Sequence, residues 1–253
     1  MRETVTSVTE IQEMGRKLRA ILGLSSSAVG VRLLTAVAET PVEAEPLQRH
    51  RYCQAVMKAR HGQHVLLDSK GIACPAAAAA FGFKALPEGL RNGNGLVGFG
   101  IVADPETGRR MFANMPRLAM NSVAQLHLFP LDEALYEPDV VVIEDQVEKL
   151  MWLSLAYLNV TGGERVQSST AVLQAACVDS TIIPYQERRL NQGFGCYGCR
   201  EATDLAPGET ILGFPGELLA PLTIQVESLA QKAMPKSRAK KAWAILDQEK
   251  EAI

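Results

Sequence analysis

The chain has 253 residues, 47% hydrophobic and 21% charged, with a net charge of -2. This composition can bury a sizeable core and excludes a disordered chain. The near-neutral balance excludes the usual nucleic-acid binder, whose phosphate contacts need a clear basic excess.

Met1 to Glu13 is polar and carries Glu3, Glu10 and Glu13, so no secretory signal opens the chain. No apolar run approaches the roughly 18 residues that span a bilayer. The longest candidate, Leu150 to Val160, is interrupted by Ser154 and Asn159. The chain therefore reads as cytoplasmic, without membrane or nucleic-acid partners. Thiols stay reduced in that compartment, so its five cysteines are expected to be free, metal-bound or catalytic. An odd count fits a full disulfide framework poorly. The basic cluster from Lys232 to Lys241 reads as a solvated helical face.

In chain order, Ser7 and Glu10 form a capping box, and Ile11, Met14, Leu18 and Ile21 recur at helical spacing, so a helix is expected over Ser7 to Leu22. Ala28 to Leu34 alternates as a short strand, and Ala36 to Leu47, with two prolines and three glutamates, reads as a loop. Arg49 to Arg60 is expected to be helical, with Gly62 just past its end. Val65 to Leu67 reads as a strand and Pro75 to Phe81 as a short alanine-rich helix. The glycine-rich Arg91 to Gly100 suggests a turn into a strand through Ala103. Asp104-Pro105-Glu106-Thr107-Gly108 carries a turn signal, which points to a hairpin.

In the second half, Pro138 precedes the β-branched run Asp139 to Glu144, the mark of a buried strand. Gln146 to Leu158 is a strong helical pattern. Thr170 to Ala176 suggests a helix ending before Cys177, and Ile182-Ile183 a strand stopped by Pro184. Glu209 to Gly213 reads as a strand and Ala220 to Met234 as a closing helix. The class is α/β or α+β: a mixed sheet with flanking helices, one unit over 1–253 with a sub-division admitted near 129–138.

The cysteines carry the chemical signal. Cys74 precedes Pro75, and proline suits the first helical turn, so Cys74 is expected at an N-cap facing free amides, a setting for a nucleophile or a metal ligand. Cys53 lies in a helix near Arg49, Arg51 and Lys58; a lone helical cysteine is otherwise a small core residue. Cys196 and Cys199 form a Cys-x-x-Cys among Gly193, Gly195 and Gly198, whose freedom lets both sulfurs turn to one ion. No helical pattern follows Cys199, which excludes a thioredoxin-type motif. Cys177, after two alanines, either packs or serves as a further ligand. Four thiolates without an obligatory histidine suit a zinc site or an iron–sulfur cluster. Ligands drawn from distant segments favour a cluster, since structural zinc staples tend to be local.

Among the histidines, His61 and His64 flank Gly62 and read as surface residues, and His50 could support Cys53. Trp152 and Trp243 read as helical packing residues. There is no nucleophile elbow, Walker loop or Rossmann fingerprint.

Tyr52-Cys53-Gln54-Ala55-Val56, Ala59-Arg60 with Gly62, and Cys74 with Ala80-Phe81-Gly82-Phe83 recur as blocks, followed by Pro138 to Val141 and Ala176-Cys177-Val178-Asp179. Asn191, Gly195-Cys196-Tyr197-Gly198 with Arg200, and Glu209 with Gly213-Phe214-Pro215 complete the series. Taken together, the chain resembles a prokaryotic family of unassigned activity, the domain of unknown function numbered one hundred and sixty-nine, common in anaerobes. The resemblance implies cysteines at the positions of Cys53, Cys74, Cys177 and Cys196. Cys199 stands where the family more often has a small residue, so the fourth ligand is either Cys177 or Cys199.

The leading expectation is a cytosolic iron–sulfur protein with a [4Fe–4S] cluster on Cys53, Cys74, Cys196 and either Cys199 or Cys177. Its work would be redox or Lewis-acid chemistry on a small molecule, with Arg51 and Arg200 as candidates for an anionic group. Its partners would be a small-molecule substrate or a redox partner, with a homodimer admitted. Two alternatives stand beside it: a metal-free thiol enzyme with Cys74 as nucleophile and Cys196/Cys199 as resolving thiols, and a zinc-stabilised binding module.

Overall fold

The computed structural model describes residues 7–36 and 40–245. The start of the polar opening (1–6) and part of the expected loop (37–39) lie outside the described residues. Helix α1 (Val8–Leu22) begins where the capping box requires. The Ser7 hydroxyl accepts from Glu10 N–H at 3.3 Å, and the Glu10 carboxylate accepts from Ser7 N–H at 2.8 Å. It ends at Gly23, whose φ of 71° closes the last turn. Strand β1 (Val29–Leu34) follows, then β2 (Glu45–Pro46), a two-residue strand inside the stretch read as loop. Helix α2 (Tyr52–Arg60) starts later than periodicity suggests, because Arg49 adopts φ 58° and Arg51 is the cap. Strand β3 (Val65–Asp68) and α3 (Pro75–Ala80) fall where expected.

The next segment departs from expectation. Instead of a strand and hairpin it forms three short helices, α4 (Glu88–Arg91), α5 (Asn94–Gly98) and α6 (Pro105–Ala113). Asp104 and Pro105 are the start of α6 rather than a turn: the Asp104 carboxylate accepts from Thr107 N–H at 2.9 Å, and Pro105 opens the helix. Strand β4 (Gln125–Pro130), absent from the sequence reading, precedes β5 (Val140–Gln146) and α7 (Val147–Val160). Ala175–Ile182 is a π-helix that contains Cys177, and α8 (Ile183–Glu187) follows it directly. This corrects both the helix expected to stop before Cys177 and the strand expected at Ile182-Ile183. Strand β6 (Asn191–Gly193), α9 (Tyr197–Ala202), β7 (Glu209–Pro215) and α10 (Leu219–Arg238) follow.

The seven strands form one mixed sheet in the order β2-β3-β4-β1-β5-β7-β6. The β2–β3 pair is parallel, and the other strand pairs are antiparallel. Strand β1 lies between β4 and β5, with Val31 opposite both Leu128 and Val140. The segment near 129–138 thus joins strands of the same sheet.

Period-2 alternation sends residues to two faces. Val29, Val31, Leu126, Leu128, Val140 and Val142 face α2, α3 and the π-helix. Phe129, Val141, Ile143, Leu212 and Phe214 face α1, α7 and α10. Each such fully buried side chain stabilises by about 1.5–3 kcal/mol relative to exposure. The π-helix rests directly on β7 at Gly213, where an added Cβ would lie 1.9 Å from Ser180 O. The Ser180–Gly213 contact sets the height of Cys177 above the sheet.

On the sheet face that packs α2, a buried ion pair runs out to a half-exposed aspartate and histidine. Arg60 Nε lies 3.5 Å from Glu144 Oε2, and both side chains are almost wholly buried. Arg60 also holds Asp204, which bonds His61 at 2.7 Å. Neither Glu144 oxygen accepts a hydrogen bond, and burial pushes its pKa up to about 7 despite Arg60.

Candidate cysteine site

All five cysteines line one cavity of about 390 Å³. Four separate elements deliver them. Cys53 is in the first turn of α2, Cys74 is the N-cap residue of α3 although its side chain makes no capping hydrogen bond, Cys177 lies in the π-helix, and Cys196 and Cys199 open α9. Cys74 is half-buried and the other four are buried; all five are free thiols.

The local geometry at α9 corrects one expectation. A helix does begin at the Cys-x-x-Cys: Cys196 is its N-cap, its sulfur accepts from Cys199 N–H at 3.3 Å, and the two sulfurs stand 3.0 Å apart. Gly195 permits this because it turns the chain at φ 80°, where an added Cβ would meet Leu205 at 2.8 Å. The π-helix is pinned from several sides. Tyr52 OH and Thr181 Oγ1 are 2.8 Å apart, Thr181 donates to Ala176 O at 2.8 Å, and Asn191 donates to Asp179 O at 2.8 Å. Cys177 Sγ points back to Gln174 O at 3.6 Å. π-Helical turns recur at functional sites because the wider turn re-aims side chains.

The protein alone disfavours the thiolate at Cys177, Cys196 and Cys199. Burial, reinforced by the neighbouring sulfurs, holds the Cys177 thiol well above the ordinary range. The hydrogen bond shared with Cys199, then burial, raises Cys196. The contact from Cys196 lowers Cys199, but the facing Cys53 and burial outweigh it and push Cys199 up to about 12. A bound cation would reverse this balance, since metal ligation requires and stabilises deprotonated sulfur. Among the described residues, no group of three or more His, Cys, Asp or Glu side chains is placed to hold a metal ion. The five cysteines border one space, with Cys196 and Cys199 in sulfur contact at 3.0 Å.

The two arginines separate. Arg51 lines the cavity; its Nη1 pairs with Glu201 and donates to Gly198 O at 3.1 Å. Arg200 does not line it. Its guanidinium donates to Phe194 O (2.6 Å), Ala206 O (2.7 Å) and Glu209 O (2.9 Å), clamping the loop around α9. His50 does not line the cavity either and bonds Gln48 O at 2.8 Å. His61 is exposed as expected, but His64 is largely covered, stacking on Phe129 with ring centroids 6.0 Å apart. His127, on β4, is fully buried beside Tyr136, and burial lowers its pKa to about 3. Trp152 is packed, whereas Trp243 is 58% exposed.

Sequence reasoning missed the other half of the cavity. Leu96, Phe99 and Ile101 come from the segment expected to be a strand and hairpin, Leu90 and Phe112 from the helices beside it, and Gln174, Tyr197 and Glu201 add to the lining. The Asp104-Pro105 N-cap signal could have revealed α6. No local signal marks Gln174, which sits in the left-handed region at φ 57°.

No helix among the described residues is long and apolar enough to cross a membrane. The chain is 29% identical over 228 residues to an uncharacterised protein of Methanocaldococcus jannaschii, an alignment covering 88% of this chain and 97% of that protein. No solved structure matches it. The family model described as "Uncharacterised ArCR" matches residues 17–223, which include all five cysteines and every strand of the sheet, and the chain belongs to this family, DUF169.

Proposed function

We propose that this is a cytoplasmic iron–sulfur protein, its cluster held by cysteines of the cavity and working on a small molecule or with a redox partner. The observation that carries the reading is that four sequence-distant elements bring five cysteines to one cavity. An all-sulfur donor set suits zinc or iron–sulfur chemistry. Five cysteines spread over a cavity of about 390 Å³ suit a polynuclear cluster of the [4Fe–4S] type better than a single zinc ion. Cys53, Cys74 and Cys196 are the proposed constant ligands, with Cys177 or Cys199 as the fourth. When bound, such a cluster supplies one-electron transfer or a Lewis-acidic iron. The chain's own contribution is to cover the site with apolar side chains and to hold Arg51 at its rim.

The test is purification without oxygen, followed by measurement of iron, sulfide and visible absorption before and after supply of ferrous iron and sulfide. Brown protein with near-stoichiometric iron and sulfide supports the reading. A colourless, iron-free protein after reconstitution refutes it, and stoichiometric zinc with unfolding on chelation favours a zinc module instead.

A metal-free thiol enzyme is the second reading, and the 3.0 Å contact between Cys196 and Cys199 favours it. In that case oxidised glutathione would convert the pair to a disulfide. One thiolate would attack the glutathione disulfide and release glutathione thiolate. The second thiol, once deprotonated, would displace the other glutathione. Cys74 would then be the thiol that alkylates fastest at neutral pH.

A further inference from the structure

We infer that the cavity takes a small, uncharged and largely apolar molecule rather than an anion, with one polar atom facing Gln174. The inference rests on the cysteine cavity being the functional site. Its remaining wall is apolar: Leu90, Leu96, Phe99, Ile101, Phe112 and Leu173. A charged ligand would lose its hydration against that wall, a large cost unless a fixed opposite charge replaces the water.

Arg51 is the one cationic side chain among the described lining residues, and it is already occupied. Its guanidinium faces the Glu201 carboxylate and the Gly198 carbonyl. An incoming anion would compete with a carboxylate built into the same rim and would approach the sulfurs, which ligation makes negative. A cation would gain from Glu201 only by displacing Arg51. A neutral molecule meets neither penalty. Gln174 stands between this cavity and a second one beside Thr170 and Asp179, and its carboxamide has no hydrogen-bond partner among the described residues. A carboxamide both donates and accepts, so it suits a carbonyl, amide or hydroxyl of a neutral ligand.

The test uses the full-length metal-free protein and the half-buried Cys74 as reporter. Three methanethiosulfonates are compared, with benzyl, sulfonatoethyl and trimethylammonioethyl tails. The Cys74 thiolate attacks the sulfenyl sulfur, the protein–sulfur bond forms, and methanesulfinate leaves with the electron pair of the broken S–SO₂ bond. Rates are read at the Cys74 peptide by mass spectrometry and divided by the rate of each reagent with free cysteine. The benzyl reagent is expected to be favoured at least about tenfold over both charged ones, the ratio that burying part of one aromatic ring provides.

Leu96→Asn should shrink that preference. Glu201→Gln, at an exposed position, should uncover Arg51 and accelerate the sulfonatoethyl reagent. A neutral reagent with a carboxamide tail should be slowed by Gln174→Ala while the benzyl reagent is not; equal slowing removes the role assigned to Gln174. Charged reagents that keep pace in the parent protein overturn the inference, as does failure of all three to reach Cys74. A protein that shows the preference yet never takes up iron would sink the cluster reading alone. An iron-loading protein without the preference would sink this one alone.

Discussion

Glu144 offers a quantitative test of the electrostatics beneath the site. Its side chain is fully buried, neither oxygen accepts a hydrogen bond, and Arg60 Nε is 3.5 Å away. Burial raises its pKa from 4.5 to about 7; Arg60 opposes the rise, and Asp204 and Glu209 add to it. A carboxyl whose folded-state pKa is raised binds its proton more tightly in the native state. Its favourable contribution is therefore complete below pH 4.5 and is lost as pH rises through about 7. At roughly 1.4 kcal/mol per pH unit, the interval amounts to about 3.5 kcal/mol, of which about 2.5 kcal/mol falls between pH 5 and pH 8. Glu144→Gln keeps the shape and removes the titration. Urea unfolding of parent and variant at a series of pH values should show the variant gaining about 2.5 kcal/mol on the parent between pH 5 and pH 8. Asp179, whose pKa is also pushed up to about 7 by burial, is present in both proteins and cancels. A stability gap constant with pH, or one moving the other way, would refute the reasoning.

Other consequences can be measured in the same way. Gly213→Ala places a Cβ 1.9 Å from Ser180 O, a backbone atom that cannot swing aside, so a loss of roughly 3 kcal/mol is expected; a melting temperature within a degree or two of the parent would contradict it. If the cavity holds a cluster, Cys177→Ala should abolish iron retention while Cys199→Ala keeps most of it. Cys199 sits against Cys196 at 3.0 Å, whereas Cys177 comes from a different element; the reverse pattern would assign the fourth ligand to Cys199. Arg200→Ala should cost about 2 kcal/mol of stability through the lost hydrogen bonds to Phe194 O, Ala206 O and Glu209 O. The Cys74 reagent selectivity of that variant should stay at the parent value, and a changed charge preference would place Arg200 in binding after all.

Much of the architecture is legible in the chain itself, and the elements that were read correctly share a physical character. The capping box at Ser7 and Glu10 and the β-branched run Val140 to Ile143 are defined by neighbours a few residues apart. Their hydrogen bonds and burial pattern are encoded locally. The readings that failed were those where one local signal serves two structures. Asp104-Pro105 opens a turn or caps a helix equally well, and packing of α4, α5 and α6 on one another decided for the helix. Strand β4 was missed because its residues alternate between buried faces that exist only once β1 and β3 flank it.

The same division holds at the site. The chain alone identified the five cysteines, the N-cap setting of Cys74 and the pairing of Cys196 with Cys199, because residue type and spacing of a few positions suffice for that. It did not place Cys177 in a π-helix, since that turn is held by Tyr52, Asn191 and the close approach at Gly213. Nor did it distinguish Arg51 from Arg200, because a guanidinium's role depends on which distant carboxylate or carbonyl it meets. Tertiary structure alone gathered sulfurs from residues 53 to 199 around one cavity. Contacts of that sequence separation arise from the folding of the sheet and its helices, and no local spacing encodes them.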